Sequence, residues 1–130
     1  MKGQRLFVRA IEQGDHDAVR RFLITEGRAA AIPACGLLGK LVGDLVAVLA
    51  MQITADAVEI DEIVVARGLR RKRIGRVMLA ELEQIAAKME RRRLIVREAA
   101  EESAAFLRRV GFEREGPTWI REVTASQQQV

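Results

Sequence analysis

The sequence predicts an α/β (α+β mixed) fold, with a single central mixed, largely antiparallel sheet and helices on both faces, in the order β-α-β-β-β-α-β-α-β-β. Three observations carry that prediction. Between residues 36 and 65, three stretches rich in aliphatic and β-branched residues are separated by short polar breaks, the pattern of an antiparallel meander. From Ile74 onward, apolar residues recur at spacings of four, four, three and four, the period of a helix buried along one side. Beyond it a short strand, a second helix and two final strands follow, and such connections pack helices against a sheet.

The elements follow in order. Residues 6–9 (LFVR) read as a first strand. Asp15 or Asp17 then caps a helix carrying Ala18, Val19, Phe22 and Leu23 on one face, which fades near Gly27. Residues 29–34, with Pro33 among them, read as a connector or a poor helical turn. Leu37, Leu38, Leu41 and Val42 lead to a two-residue turn signal at Gly43-Asp44; residues 45–53 make a nearly continuous apolar strand; Ala55-Asp56 breaks it before a third strand over 58–65. The long helix shows Ile74, Met78, Leu82, Ile85 and Met89 on its apolar face. Residues 94–96 are a strand, 101–110 a helix stopped by Gly111, and 112–115 and 118–123 two strands around Gly116-Pro117. Phe112 and Trp119 cover the sheet, with Trp119 also open to lining an acceptor pocket. Residues 126–130 read as a frayed tail, so 1–130 is one domain.

Composition narrows the function. A chain of 130 residues with 49% hydrophobic and 31% charged residues has the balance of one globular domain. No apolar run reaches the roughly 18–20 residues that span a bilayer, and charge follows the first apolar residues too soon for a signal peptide. The expected location is the cytoplasm. The single Cys35 makes no internal disulfide, and it reads as a buried or incidental thiol rather than a nucleophile; His16 reads as a surface residue. One His and one Cys make no metal site, so no metal is expected. The net charge of +4 is uneven: Arg67, Arg70, Arg71, Lys72, Arg73 and Arg76 fall within ten residues, and Arg91, Arg92 and Arg93 form a second cluster. Such clusters are either solvated faces or sites for an anionic partner.

The position of the first cluster favours the second reading. It lies where a strand ends at Val65 and a long helix opens near Ile74. The first turn of a helix has N–H groups without intrahelical acceptors, and the helix dipole adds partial positive charge there. A loop that curls its amides around the same point makes an anion nest, and Gly75 lets backbone approach a phosphate closely.

The residues from Val65 to Gly75 resemble the acyl-CoA motif of the GNAT superfamily of N-acetyltransferases, Q/R-x-x-G-x-G/A preceded five residues earlier by an apolar strand residue. Arg70, Gly75 and Val65 match, and Arg73 stands where the first Gly is expected. Val96-Arg97, Phe106-Leu107 and Gly111-Phe112 are similar to the family's downstream pattern, and residues 59–65 to its strand pattern E-L-x-x-L-x-V. The resemblance covers about residues 4–124. It implies that acetyl-CoA is the cosubstrate, its pantetheine arm along Ile63, Val64 and Val65, and its pyrophosphate on the amides of Arg71, Lys72, Arg73, Ile74, Gly75 and Arg76, with Arg70 and Lys72 adding charge. An amine acceptor has a pKa near ~10.4, so a base must take its proton. Glu59 matches the family position best; Glu62 and Asp61 are the reserves. Three departures stand out. Leu107 replaces the Tyr that protonates the CoA thiolate, Ala100 and Ser103 replace a usual Asn and Ala, and Ile95 stands where the branch acetylating protein N-termini often carries its Glu.

The resemblance therefore implies an N-acetyltransferase acting by direct attack on an amine-bearing small molecule or peptide. The missing Tyr supports an alternative, a CoA-binding sensor or partner module that has lost efficient catalysis. A nucleic-acid-binding domain is the third reading, weakened by the lack of an aromatic stacking platform. Residues 118–123 are the candidate edge at which two protomers of a homodimer would pair.

Overall fold

The computed structural model describes residues 6–29, 31–69 and 73–123. Seven strands form one sheet: β1 (Leu6–Ala10), β2 (Gly36–Leu41), β3 (Asp44–Ile53), β4 (Ala57–Val65), β5 (Arg93–Val96), β6 (Glu113–Glu115) and β7 (Thr118–Glu122). Their order across the sheet is β1-β2-β3-β4-β5-β7-β6. Three helices accompany them: α1 (His16–Thr25), α2 (Ile74–Lys88) and α3 (Ala104–Arg109). The predicted element order is thus met throughout. The backbone divides into two compact units, residues 1–51 with 62–79, and residues 52–61 with 80–130.

In the first unit, β1, β2 and β3 form an antiparallel meander. The β2–β3 turn falls on Val42-Gly43, one residue earlier than the sequence suggests, with Leu41 paired to Asp44. Both turn residues have positive φ, 52° and 84°, the condition of the tight hairpin turn whose twist matches the strands. The strands impose this on Val42, a β-branched residue that is 71% exposed. A second irregularity follows: the register shifts between Gly39 and Lys40, so Gly39 faces Ala47 while Lys40 faces Leu45. Val46 is the extra residue of the bulge. Because one inserted residue switches the face of every side chain beyond it, the bulge lets both Leu45 and Val48 point toward α1.

That face holds the α1 core: Val19 and Leu23 from α1, Leu38 from β2, Val48 from β3 and Val64 from β4, with Ile11, Phe22 and Leu45 packed against them. Ala18, expected on the buried face, is exposed; the short helix buries a narrower stripe than its apolar residues suggest. Asp15 does not cap α1 through its side chain. Both its oxygens instead accept hydrogen bonds from the Arg9 guanidinium at 2.7 and 2.8 Å, and the Glu12 N–H donates to it as well. The opposite face of the meander receives the start of α2. A Cβ on Gly39 would stand 3.0 Å from the Met78 sulfur, so helices cover both faces of this unit.

In the second unit, β5 pairs in parallel with the start of β4 through Ala57↔Arg93, Val58↔Leu94 and Glu59↔Ile95. On its other side β5 pairs antiparallel with β7, and β7 with β6. Thr118–Glu122 is therefore an inner strand, and the expectation that it forms an edge is corrected. The edge is β6, whose three residues Glu113, Arg114 and Glu115 are all exposed. The buried side of α2 is wider than the predicted stripe: Leu79 and Ala86 are buried with Met78 and Leu82, whereas Ile85 is half-buried. Phe112 and Trp119 are buried as expected.

Two expected outcomes test this packing. At Gly36 a Cβ would lie 2.5 Å from the Leu49 carbonyl oxygen, so Gly36→Ala should lower stability by about 1–3 kcal/mol in urea unfolding; an unchanged midpoint would refute the close approach. The Arg9 guanidinium holds the Asp15 carboxyl far below its ordinary value of 3.8. A depressed folded-state pKa contributes stability that is complete above the unfolded value and fades as pH falls toward the folded one. The stability gap between wild type and Asp15→Asn should be constant above about pH 5 and narrow at pH 3. A gap that widens on acidification would contradict the pairing.

Candidate functional site

The end of α1 prepares one side of the site. Gly27 adopts φ +77°, the Arg28 N–H bonds to the Leu23 carbonyl, and the Gly27 N–H bonds to the Ile24 carbonyl. These are the paired bonds of a Schellman motif, which stops the helix and sends the chain off at a fixed angle. The glycine that ends the predicted helix thus sets where Arg28 stands. The preceding residue, Glu26, accepts a hydrogen bond from the Arg67 N–H at 3.1 Å, with the Arg67 side chain 3.7 Å away. A mostly buried carboxylate therefore fastens the segment that leaves β4, and the Ala66 N–H is held by the carbonyl of Val46 in the β3 bulge.

From this anchor Arg28 reaches Glu62 on β4, with its Nη1 2.9 Å from Oε2. Both side chains are more than two-fifths exposed, at 46% and 42%. An ion pair so open to water contributes roughly 0–1 kcal/mol. Glu62 and Val64 border a shallow recess of about 20 Å³, room for about one water molecule, whose other walls include Leu23, Pro33, Val48 and Ala50. Its lining is apolar except for that one carboxylate. Carboxylate, aliphatic wall and loop come from three separate stretches of sequence. Strand alternation puts Glu62 on the recess side with Val64 and sends Ile63 and Val65 to the other side of β4.

Beyond β4 a short 3-10 turn, Arg67–Leu69, leads toward α2. Arg70, Arg71 and Lys72 lie outside the described residues. Arg73 adopts φ +67°, and its carbonyl accepts the Val77 N–H at 3.1 Å, beginning the α-helical ladder. The left-handed conformation costs a residue with a side chain roughly 1–2 kcal/mol and costs Gly little. This gives a physical reason for glycine at this point of the motif, and Arg73 bears that strain here. Ile74, Gly75 and Arg76 form the first turn of α2, where backbone N–H groups have no acceptor within the helix. Such donors, on a basic segment, suit a doubly charged phosphate ester or pyrophosphate.

The other acid, Glu59, lies in the second unit. Arg97 clasps it with two hydrogen bonds, Nε to Oε1 at 3.0 Å and Nη2 to Oε2 at 2.6 Å. The Glu59 side chain is 18% exposed. The guanidinium lowers the Glu59 pKa, and Glu59 raises that of Arg97. A carboxylate stabilised as an anion with both oxygens occupied is poorly suited to accept a proton. Asp61, the third acid, is exposed and lies 3.3 and 3.4 Å from the Gln52 amide. Leu107, in the place of the motif Tyr, is buried and brings no acid. The guanidinium carbons of Arg108 and Arg114 stand 5.2 and 5.5 Å from the centre of the Trp119 ring; the ring serves as a platform for them. Among the described residues, no group of three or more His, Cys, Asp or Glu is placed to hold a metal. No helix among them is long and apolar enough to cross a membrane.

The family model described as "Acetyltransferase (GNAT) family" matches residues 4–112. Among solved structures, the ribosomal-protein-S18-alanine N-acetyltransferase of Escherichia coli superposes with a TM-score of 0.74 at 17% identity, covering 92% of this chain and 94% of that one. A GNAT family N-acetyltransferase of Escherichia coli in complex with CoA gives 0.74 at 13% identity, over 95% and 84% of the two chains. The N-acetylglutamate synthase of Neisseria gonorrhoeae, complexed with coenzyme A and L-arginine, also gives 0.74, at 15% identity over 91% of this chain but 33% of that longer one. No curated protein sequence matches.

The strain at Arg73 has a direct test. Arg73→Gly should raise unfolding free energy by about 0.5–1 kcal/mol, since Gly adopts this conformation without a Cβ penalty. Chemical denaturation of both proteins reads the difference, and a loss of stability would show that the Arg73 side chain contributes more than its backbone costs.

Proposed function

The chain belongs to the acetyltransferase (GNAT) family, and from that premise we propose that it transfers the acetyl group of acetyl-CoA directly to an amine, with Glu62 as general base. The observation that carries the choice of base is a carboxylate at the border of an apolar recess whose partner, Arg28, is exposed and weakly held. The amine of a small molecule or peptide enters as its ammonium ion. Glu62 takes one proton; the nitrogen lone pair attacks the thioester carbonyl, a C–N bond forms and the C–S bond breaks. The CoA thiolate leaves and takes the second nitrogen proton through solvent, while Glu62 releases the first to water. The products are the amide, CoA as its thiol, and one proton.

For the cosubstrate, the reading assigns the backbone of Ile63, Val64 and Val65 to the pantetheine arm. The pyrophosphate falls to the amides of Arg73, Ile74, Gly75 and Arg76, with the charges of Arg70, Arg71 and Lys72. The left-handed conformation of Arg73 and the unpaired backbone donors of the first turn of α2 support this. Glu59 is the second candidate base. It would have to shed a bidentate arginine first, and such charge-assisted pairs are about twice as strong as neutral hydrogen bonds. The buried Leu107 favours one other reading, a CoA-binding module with weak catalysis.

Release of CoA thiol from acetyl-CoA, followed over a panel of amines, separates these readings. Glu62→Gln should lower kcat by about 10²–10⁴-fold, with acetyl-CoA affinity by calorimetry unchanged; Glu59→Gln should fall by less than tenfold. The opposite ranking would transfer the role of base to Glu59. Acetyl-CoA binding that Gly75→Glu abolishes, without turnover of any amine, would favour the binding module.

A further inference from the structure

Resting on the assignment of the pyrophosphate to the loop before α2, we propose that Glu26 is a positioning residue for acetyl-CoA. It fixes the entrance of that loop. The far end is set by Arg73, whose carbonyl accepts the Val77 N–H as α2 begins. The near end is held through Ala66, Arg67 and Leu69. The Ala66 N–H donates to the Val46 carbonyl and the Leu69 N–H to the Ala66 carbonyl, both at 2.9 Å. Between them, the Arg67 N–H donates to Glu26 Oε1 at 3.1 Å. The first two bonds join backbone to backbone. The third ends on a side chain that arrives from the end of α1, 41 positions earlier in the chain.

Charge alone gives no reason for an acid here. The Glu26 side chain is 9% exposed, and a carboxylate so far from water is costly unless its oxygens find donors. Standing three residues before the basic run at 70–73, its fixation point also brings negative charge toward an anion's site. The benefit lies in geometry. An ionised acceptor makes a hydrogen bond about twice as strong as a neutral one. Glu26 caps the C-terminus of α1, and the Gly27 turn fixes its backbone. The Arg67 Nε, 3.7 Å from Oε1, offsets the charge that this arrangement brings. Loop amides held in place before binding lose less freedom when the pyrophosphate arrives, so less binding energy goes to ordering them.

The two effects of the acid have opposite signs. Removing a negative charge near an anion's site tightens binding, whereas removing a loop anchor weakens it. Glu26→Met keeps the stem without an acceptor, and Glu26→Ala removes both. In calorimetric titration with CoA and with acetyl-CoA, each should bind at least about fivefold more weakly than wild type. Glu26→Gln, whose amide oxygen still accepts the Arg67 N–H, should stay within about twofold. In turnover, Glu26→Met should raise the KM for acetyl-CoA by a similar factor, with kcat and the amine KM within about twofold of wild type. Hydrogen exchange read by NMR without cosubstrate should find the Arg67 amide at least about tenfold faster in Glu26→Met than in wild type or Glu26→Gln. Equal or tighter CoA binding by either acceptor-less variant in folded form, or an Arg67 amide equally protected in all, would overturn the proposal and leave the cosubstrate reading intact. A wild type that binds neither CoA nor acetyl-CoA would overturn both.

Discussion

Alternate side chains of β4 leave the strand in opposite directions, so Val64 enters the α1 cluster and Glu62, two residues earlier, enters the recess beside it. The identity of the recess follows from this pleat. A shift of one residue would turn Glu62 away from the recess and present Ile63 in its place. The surrounding structure holds that register from several sides. Val64 is buried among Leu38 and Val48, the Ala66 N–H is tied to Val46, and the following N–H is taken by Glu26. The bulge at Val46 belongs to the same constraint, because it brings Leu45 to the α1 face and presents the carbonyl that receives Ala66.

The two acids of β4 illustrate how environment rather than residue type assigns chemistry. Glu59 and Glu62 are both paired with arginine, yet the pairs differ in kind. One is two-pronged, on a Glu59 side chain that is only 18% exposed, and accompanied by a lowered pKa. The other is a single contact open to solvent. Taking a partner away from the first leaves a partly desolvated charge uncompensated, which is costly. Taking it from the second exposes a carboxylate to water that already reaches it. The first arrangement suits a brace between β4 and the residue after β5; the second leaves Glu62 within reach of solvent.

Much of this organisation is legible in the amino-acid sequence. Ile74, Met78 and Leu82 announce α2 because apolar residues four apart share one side of a helix, with polar residues between them on the others. The meander shows in the aliphatic runs before it. Errors arise where tertiary forces outvote local preference. Val42 sits in a left-handed turn that its β-branched side chain opposes, since strand pairing dictates the turn. The place of Thr118–Glu122 inside the sheet rather than at its edge depends on strand order, which sequence proximity does not determine. In the site, the motif around Arg70 to Gly75 is visible, whereas Arg28 and Glu62 meet across 34 positions of sequence with no local signature. Gly27 is the one available hint, as a helix stop that places the next side chain. Position 107 shows the converse: the substitution for Tyr is plain in the sequence, and its burial explains how the chain accommodates it.

The outer strand β6 has a bearing on how the protein behaves among its own copies. Three residues long and reading Glu-Arg-Glu, it offers few backbone groups to a passing strand and surrounds them with charge. Sheet-to-sheet growth from that side is discouraged in the way open sheets commonly protect themselves. The opposite border, β1, is longer and carries Phe7 with 59% of its surface exposed. Any copy that added a strand at β6 would have to cover Glu113, Arg114 and Glu115, all of which stand in solvent.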